Sequence, residues 1–143
     1  MIRFFFKKKP ALTKVQSAKF KETVKNIAAE IALKEEADIK SINLIFCSDE
    51  YIKKINTQFL GHDYETDIIT FHDEDAEGNI ESDILISVDT VEFNAKRFKV
   101  SITDELKRVV IHGILHLCGY DDKNSSDKKV MKRKENFYLK KIK

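Results

Sequence analysis

The chain has 143 residues, the length of one ordinary domain, and we expect a single domain over residues 1–143. Hydrophobic residues make up 42% of the sequence, and there are only four glycines and one proline, which argues against a disordered or linker-rich protein. No stretch approaches the roughly 18 apolar residues of a membrane span, and the first residues lack the order of a signal peptide. We therefore expect a cytoplasmic protein that does not enter a membrane.

The net charge of +2 is unevenly distributed along the chain. Residues 1–25 contain eight basic and one acidic side chain, and residues 123–143 contain nine and two, so each end carries +7 and residues 26–122 carry −12. Basic ends around an acidic centre predict a polyanionic partner that contacts the periphery. A solvated, lysine-rich surface is the alternative interpretation.

Hydrophobic periodicity and β-branched runs predict an α+β fold. The predicted elements, in chain order, are a possible strand at 2–6, a helix over 13–34, a strand over 41–49, a helix over 49–60, strands over 66–71 and 83–88 joined by a hairpin at Gly78, and helices over 89–98, 103–118 and 125–141. Val15 and Phe20 are placed on the apolar side of the first long helix. Val130, Phe137 and Leu139 are expected to dock the last helix on the core.

The stretch "VVIHGILHLCGYDD" (109–122) carries two histidines in an otherwise apolar helix. His112 and His116 lie one turn apart, so both imidazoles project together and can reach one ion. The apolar residues around them predict a central, buried helix, with the metal in the wall of a cleft. Histidine pairs at this spacing also occur by chance in ordinary helices, so the pair alone does not establish a metal site.

A third ligand is expected after the helix ends at Gly119. The pattern H-x-x-x-H-x-x-G-x-x-D is similar to the extended zincin spacing, whose third ligand comes six residues after the second histidine, at Asp122 here. Two imidazoles and a carboxylate suit one Zn²⁺ per chain, with a fourth position for water. Zincin peptidases carry a general-base glutamate directly after the first histidine, and Gly113 stands there, so a peptidase would lack its main catalytic group.

Three motif blocks in the same order resemble the YbeY family of bacterial rRNA maturation endoribonucleases. "HGILHLCGYDD" resembles the family motif H-G-x-L-H-L-x-G-Y-D-H, "INTQFLGHDYETDIITF" (55–71) its L-N-x-x-Y-R-x-x-D-x-P-T-D-V-L-S-F block, and "SDILIS" (82–87) its G-D-I-x-I-S block. The resemblance implies a Zn²⁺-dependent, single-strand-specific endoribonuclease that matures the 3′ end of 16S rRNA and acts in ribosome quality control. It implies RNA of the small ribosomal subunit as partner, rather than DNA, and His112, His116 and position 122 as metal ligands. The implied fold is a small mixed sheet with a central metal-binding helix.

The sequence departs from the family pattern at three places. Asp122 replaces the third family histidine, and this harder, anionic ligand lowers the net charge of the site and can shift its metal preference. Leu60 stands at the family arginine, a residue type that holds phosphate or stabilises developing charge. Ser82 and Glu65 stand at a family glycine and proline.

The sequence leaves the general base open between Asp121, Asp67 and His62. Asp121 can equally support a ligand imidazole, and Asp67 can equally cap a turn. The basic runs Lys7–Lys9 and Lys128–Lys134 can hold phosphates along a groove. Tyr64 or Phe59 can stack an unpaired base, although both can also belong to the core.

Two other classes of function remain open. One is a non-catalytic RNA- or ribosome-binding factor with a structural metal, which would need a fourth protein ligand such as Asp121, because Cys118 lies on the wrong side of the helix. The other is a metal-dependent hydrolase that acts on a different substrate. The oligomeric state is not predicted.

Overall fold

The computed structural model describes residues 1–62 and 66–142, which form one four-stranded sheet and five helices. In chain order the elements are β1 (Ile2–Phe6), α1 (Lys14–Lys34), β2 (Ile39–Cys47), α2 (Asp49–Leu60), β3 (Ile68–Glu74), β4 (Ile80–Ser87), α3 (Val88–Phe98), α4 (Ile102–Leu117) and α5 (Ser125–Lys141). The predicted α+β class, with about four strands and about five helices, is confirmed.

The sheet is mixed and has the strand order β1-β2-β4-β3. β1 is parallel to β2 and β2 to β4, whereas β3 runs antiparallel to β4. Parallel neighbours need crossover connections, and α1 supplies the one between β1 and β2. The turn between β3 and β4 is the predicted hairpin, with Gly78 at a φ of 85° and the side chain of Asp75 accepting from the backbone N–H groups of Glu77 and Asn79.

The core is centred on α4, which packs against the sheet and against α1, α3 and α5. Its fully buried side chains include Leu106, Val110, Ile111, Ile114 and Leu115. Each such side chain stabilises the fold by about 1.5–3 kcal/mol relative to its exposed state. The predicted central, buried helix is therefore confirmed. None of the described helices is both long and apolar enough to cross a membrane.

Polar side chains fix where the helices begin. The N-cap residues, each accepting a hydrogen bond from a backbone N–H of the first turn, are Thr13, Ser48, Ser87, Ser101 and Asn124. Thr13 also forms a capping box with Gln16. α4 begins one residue before the predicted position because Ser101, rather than Thr103, caps it.

The structure corrects the apolar faces of the first and last helices. Val15 is 78% exposed, so α1 meets the core only from Phe20 onward. Phe137 is 45% exposed, and Tyr138 is fully buried in its place. Neighbouring helix positions differ by about 100° around the axis, so only one of these two rings can face the core. Of the residues expected to dock α5, Leu139 packs against the core, while Val130 is only partly buried.

Candidate metal centre

Three metal-ligating side chains converge at the C-terminal end of α4. The Nε2 atoms of His112 and His116 lie 3.0 Å apart, and Oδ2 of Asp122 lies 3.3 Å from the first and 3.7 Å from the second. Among the described residues, these are the three His, Cys, Asp or Glu side chains whose ligand atoms all lie within 4.8 Å of one another. The histidine side chains are 21% and 24% exposed and that of Asp122 is 44% exposed, so the group is open to a cleft.

The turn after α4 brings Asp122 back toward the two histidines. The helix ends at Leu117, and Gly119 follows in the left-handed region with a φ of 98°. The backbone N–H of Tyr120 then donates to the carbonyl oxygen of Leu115, at 3.1 Å. Such a turn is typical of a helix that ends at glycine, because any other side chain would be strained there.

Both imidazoles use Nδ1 for a hydrogen bond within the protein. Nδ1 of His112 lies 2.7 Å from Oε2 of Glu135, and Nδ1 of His116 lies 2.8 Å from the backbone carbonyl oxygen of Tyr120. Both partners are acceptors, so in each neutral imidazole Nδ1 carries the proton and Nε2 carries a lone pair. Two nitrogen lone pairs and a carboxylate oxygen thus face one another, an arrangement that a bound cation stabilises.

The spacing of the three atoms fits a tetrahedral ion. Zn²⁺ binds imidazole nitrogen and carboxylate oxygen at about 2.0–2.2 Å, which places two tetrahedral ligands about 3.3–3.6 Å apart. The observed separations run from 3.0 Å for His112 and His116 to 3.7 Å for His116 and Asp122. The donor set is therefore suitable for a metal ion in both chemistry and geometry.

Nearby carboxylates favour positive charge at His112. Burial lowers the pKa of His112, but the hydrogen bond and charge of Glu135, with the charges of Asp122 and Asp67, raise it above its usual value. The pKa of Asp67 is itself raised, mainly by burial. A proton or a metal ion at this imidazole is therefore stabilised by its surroundings.

Glu35, just after α1, holds the turn that follows α4. One carboxylate oxygen accepts a hydrogen bond from the hydroxyl of Tyr120 at 2.5 Å. The other accepts from the hydroxyl of Tyr138 at 2.5 Å and from Nζ of Lys134 at 3.1 Å. Because the carbonyl of Tyr120 also orients His116, this network connects α1 and α5 to the second imidazole.

Gly113 packs directly against the sheet. A Cβ atom at this position would lie 2.7 Å from Cδ1 of Ile68 and 3.2 Å from Cγ2 of Ile84. The position that carries the general base in zincin peptidases therefore has no room for a glutamate side chain. This contact explains in steric terms why the sequence lacks that catalytic group.

Comparison with known proteins identifies the family. A family model described as Endoribonuclease YbeY matches residues 5–143. The chain belongs to the YbeY family. It is 45% identical over 136 residues to the Endoribonuclease YbeY of Cytophaga hutchinsonii, covering 95% of this chain and 92% of that protein. It is 51% identical over 106 residues to that of Flavobacterium johnsoniae, covering 74% and 76%. The solution structure of TM1509 from Thermotoga maritima is similar, with a TM-score of 0.66 and 36% identity over 99% of this chain and 89% of that one.

The predicted resemblance is thus confirmed, and the departure from the YbeY pattern at Leu60 has a structural consequence. Leu60 is 46% exposed and lines the metal-site cleft, a depression of about 430 Å³ that also contains His112, His116 and Asp122. None of the described residues that line the metal-site cleft is Lys or Arg. The arginine position of the family is therefore not replaced by another permanent cation in this cleft.

All three candidates for the general base line the metal-site cleft. They are Asp67, Asp121 and His62. Asp121 and His62 are exposed, whereas Asp67 is partly buried. The suggested role of Asp121 as partner of a ligand imidazole is wrong, because Glu135 and the carbonyl of Tyr120 take those positions.

Of the candidate stacking residues, Phe59 alone can be described. Its ring is 61% exposed and meets Phe71 edge-on, at 6.1 Å between centroids, so it is not a core residue. Tyr64, and Glu65 at the family proline position, lie outside the described residues.

The two basic runs differ in their relation to the site. Lys8 forms an ion pair with Asp89, and Nζ of Lys7 lies 4.8 Å from the centre of the Tyr51 ring. No residue of the run 7–9 lines the metal-site cleft. Lys134, in the other run, bonds to Glu35 and so supports the turn after α4.

Sequence analysis missed the two carboxylates that support the site, Glu35 and Glu135. Glu135 is the one acidic residue between positions 128 and 143, a stretch with eight basic residues, and that isolation was a usable signal. Glu135 is buried, at 8% exposure. A carboxylate is rarely buried without a partner, so this burial indicates a supporting role. Glu35 has no comparable signal, since acidic residues surround it in "KEEAD".

Proposed function

We propose that this protein is a metal-dependent endoribonuclease that cuts single-stranded RNA and matures the 3′ end of 16S rRNA, with a part in ribosome quality control. Membership of a family of endoribonucleases supports RNA as the substrate. The observation that carries the metal dependence is the convergence of His112, His116 and Asp122 in an open cleft. The small ribosomal subunit as partner follows from the motif resemblance, and the cytoplasm as location from the residue patterns described above; both stay predictions.

In this proposal His112, His116 and Asp122 hold one Zn²⁺. When bound, the ion supplies a Lewis acid that polarises a phosphoryl oxygen and stabilises developing negative charge. Glu135 and the carbonyl of Tyr120 keep both imidazoles in the tautomer that presents Nε2 to the ion. The carboxylate of Asp122 reduces the net charge of the site relative to a third histidine.

Asp67 is our candidate for the group that accepts and returns a proton. It lines the metal-site cleft, and burial raises the pKa of its carboxyl, which moves it toward the range in which proton transfer is efficient. Asp121 shares the cleft but is exposed. An Asp67→Asn variant should retain the metal and lose turnover, whereas Asp121→Asn should retain both.

Metal content is the first test of this function. Purified wild type should contain about one zinc per chain by inductively coupled plasma mass spectrometry, and Asp122→Ala should contain far less. Asp121→Ala is the matched control, because it removes the neighbouring carboxylate, which lies outside the group of three. Purified wild type that contains no stoichiometric metal would contradict the proposal of a metalloenzyme.

A second candidate is an RNA-binding factor with a structural metal. The absence of Lys and Arg from the described lining of the metal-site cleft favours it, since phosphate chemistry usually employs such cations. Against it, a structural zinc normally has four protein ligands, and Cys118 is not in the group. Burial and the nearby Glu35 raise the pKa of the Cys118 thiol to about 11, which disfavours the thiolate that a metal needs.

Cleavage assays separate these functions. His112→Ala should abolish cutting of single-stranded oligoribonucleotides while leaving their binding nearly intact if the protein is an enzyme. Binding of RNA without cutting by the zinc-loaded wild type would favour the binding factor. Turnover of small phosphoesters but not of RNA would indicate a hydrolase with another substrate.

A further inference from the structure

A second cleft borders the candidate metal group. The helical cleft, about 580 Å³ in volume, lies between the end of α3, α4 and α5, and its lining includes Phe98, Glu105, Lys128 and Lys132. It shares His112 and Asp122 with the metal-site cleft. Its volume lies within the range of about 300–1,000 Å³ that is typical of ligand pockets. The two clefts therefore adjoin at the metal group.

The helical cleft supplies the cations that the metal-site cleft lacks. Lys128 and Lys132 lie one turn apart on α5, and both are exposed. Neither forms an ion pair with any carboxylate in the described part of the chain, in contrast to Lys134 and Lys8, which are paired. These two side chains are therefore available to bind phosphates on one side of the metal group.

The same cleft has an apolar wall that suits a planar ring. Phe98 is 58% exposed and Val100 is 43% exposed, and Met131 and Leu139 continue the surface toward the core. An exposed aromatic ring beside unpaired lysines is the combination that single-strand binders use to stack a base while holding its backbone.

Glu105 places a polar group in this apolar surface. The residue is only 5% exposed, and no described residue forms a hydrogen bond or a salt bridge with its carboxyl. Burial raises the pKa of this carboxyl, with Asp67 and Glu135 adding to the rise and Arg108 opposing it. The oxygens of this carboxyl are not fully enclosed, so they can accept a hydrogen bond from a ligand in the helical cleft. The exocyclic amino group of adenine, cytosine or guanine can donate to it, whereas uracil has no amino group and offers only its ring N3–H.

We propose that the helical cleft is a nucleotide subsite that binds the nucleoside next to the cleaved phosphate and prefers a base with an amino group. This inference rests on the proposed endoribonuclease function. Lys128 and Lys132 hold the phosphate on that side, Phe98 stacks the base, and the carboxyl of Glu105 accepts from the amino group.

The test compares cleavage of short fluorescent oligoribonucleotides by wild type, Phe98→Ala, Lys132→Ala and Lys140→Ala. Phe98→Ala should raise KM about fivefold or more, the effect of losing one stacked base. Lys132→Ala should raise KM and reduce the slope of log KM against log salt concentration by about 0.7, the loss of one phosphate contact. Lys140→Ala, which removes the same charge from the same helix outside the cleft, should behave as wild type.

Base recognition is tested by substrates altered at one position. An abasic nucleotide beside the cut should weaken binding to wild type but not to Phe98→Ala, and uracil there should be the poorest of the four bases. Glu105→Gln should change this base preference while keeping the same thermal unfolding midpoint within a few degrees. Equal KM values for the three cleft variants and Lys140→Ala, in an enzyme that cuts RNA normally, would overturn the subsite.

Failure of the proposed function has a different outcome. If no RNA is cut, the same oligonucleotides are measured by fluorescence anisotropy with the zinc-loaded protein. Weaker binding by Phe98→Ala and Lys132→Ala, and by abasic RNA, would still support the subsite. Unchanged binding in all of these cases would reject it independently of catalysis.

Discussion

The carboxylate of Glu135 lies 2.7 Å from Nδ1 of His112, and its second oxygen lies 3.0 Å from Nη1 of Arg108. The imidazole and the guanidinium therefore share one buried carboxylate, which α5 contributes to α4. Such a partner fixes the tautomer of a metal-ligating histidine and increases its basicity. The metal affinity of the site should thus depend on a residue that touches no metal.

Replacement of Glu135 by glutamine should weaken zinc binding about 10- to 100-fold. Glutamine has a single side-chain oxygen, which cannot serve both His112 and Arg108 in the observed geometry. Affinity is measured by competition with a chromophoric chelator. Glu77→Gln, at the exposed hairpin turn, is the control, and equal affinities for the two variants would contradict the role of Glu135.

Replacement of Asp122 by histidine should preserve binding of one zinc per chain, because imidazole is an equally good ligand and restores the family motif. Asp122→Asn should lose most of the affinity, since an amide is a weak zinc ligand. Metal content after dialysis against a defined free zinc concentration distinguishes the two. The same zinc content in wild type and Asp122→Asn would show that position 122 is not a ligand.

Glu35→Gln should reduce the free energy of unfolding at neutral pH by about 1–3 kcal/mol, the cost of weakening a buried hydrogen-bonded group. Burial alone would raise the pKa of Glu35, but Tyr120, Tyr138 and Lys134 lower it below its usual value. A lowered folded-state pKa stabilises the protein fully above the unfolded-state pKa of about 4.3, and this contribution is lost as the pH falls through the folded-state pKa.

The difference between wild type and Glu35→Gln should therefore be constant near neutral pH and shrink below about pH 4. Urea unfolding at a series of pH values measures it. Glu22→Gln, an exposed substitution on α1, should show little difference at any pH. If the difference in free energy of unfolding between wild type and Glu35→Gln grew as the pH fell, the result would contradict this prediction.

Gly113→Val should reduce the free energy of unfolding by about 1–3 kcal/mol, the usual cost of overpacking a core. Gly113→Ala should cost less, because the nearest atom to the added Cβ is the flexible end of Ile68. Ile68→Val removes that atom and should partly rescue Gly113→Ala. Thermal and urea unfolding of the single and double variants measure the coupling, and strictly additive effects would rule out the contact.

Much of the fold could be predicted from local sequence, because periodicity and capping are local properties. α2 occupies the predicted residues 49–60, and α5 the predicted 125–141. The side of α5 that faces the core could not be predicted, since Phe137 is more apolar than Tyr138. Tyr138 is buried because its hydroxyl reaches Glu35, a residue 103 positions earlier in the chain.

The candidate ligands could also be predicted from local sequence, whereas the residues that support them could not. His112 and His116 are placed together by helix geometry alone, and Asp122 by the turn at Gly119. Glu135 reaches His112 only after α5 has packed on α4, 23 residues further along the chain. Residues that act through tertiary packing leave little trace in a single sequence.

The last helix supplies no candidate ligand, yet Lys134, Glu135 and Tyr138 all come from it. During synthesis the three ligands therefore leave the ribosome before the side chains that orient them. A nascent chain ending near residue 124 would contain both imidazoles and the carboxylate, but it would lack the partner of His112 and two of the three groups that bind Glu35. Competence to bind metal should consequently appear only after α5 has been made and has packed on α4.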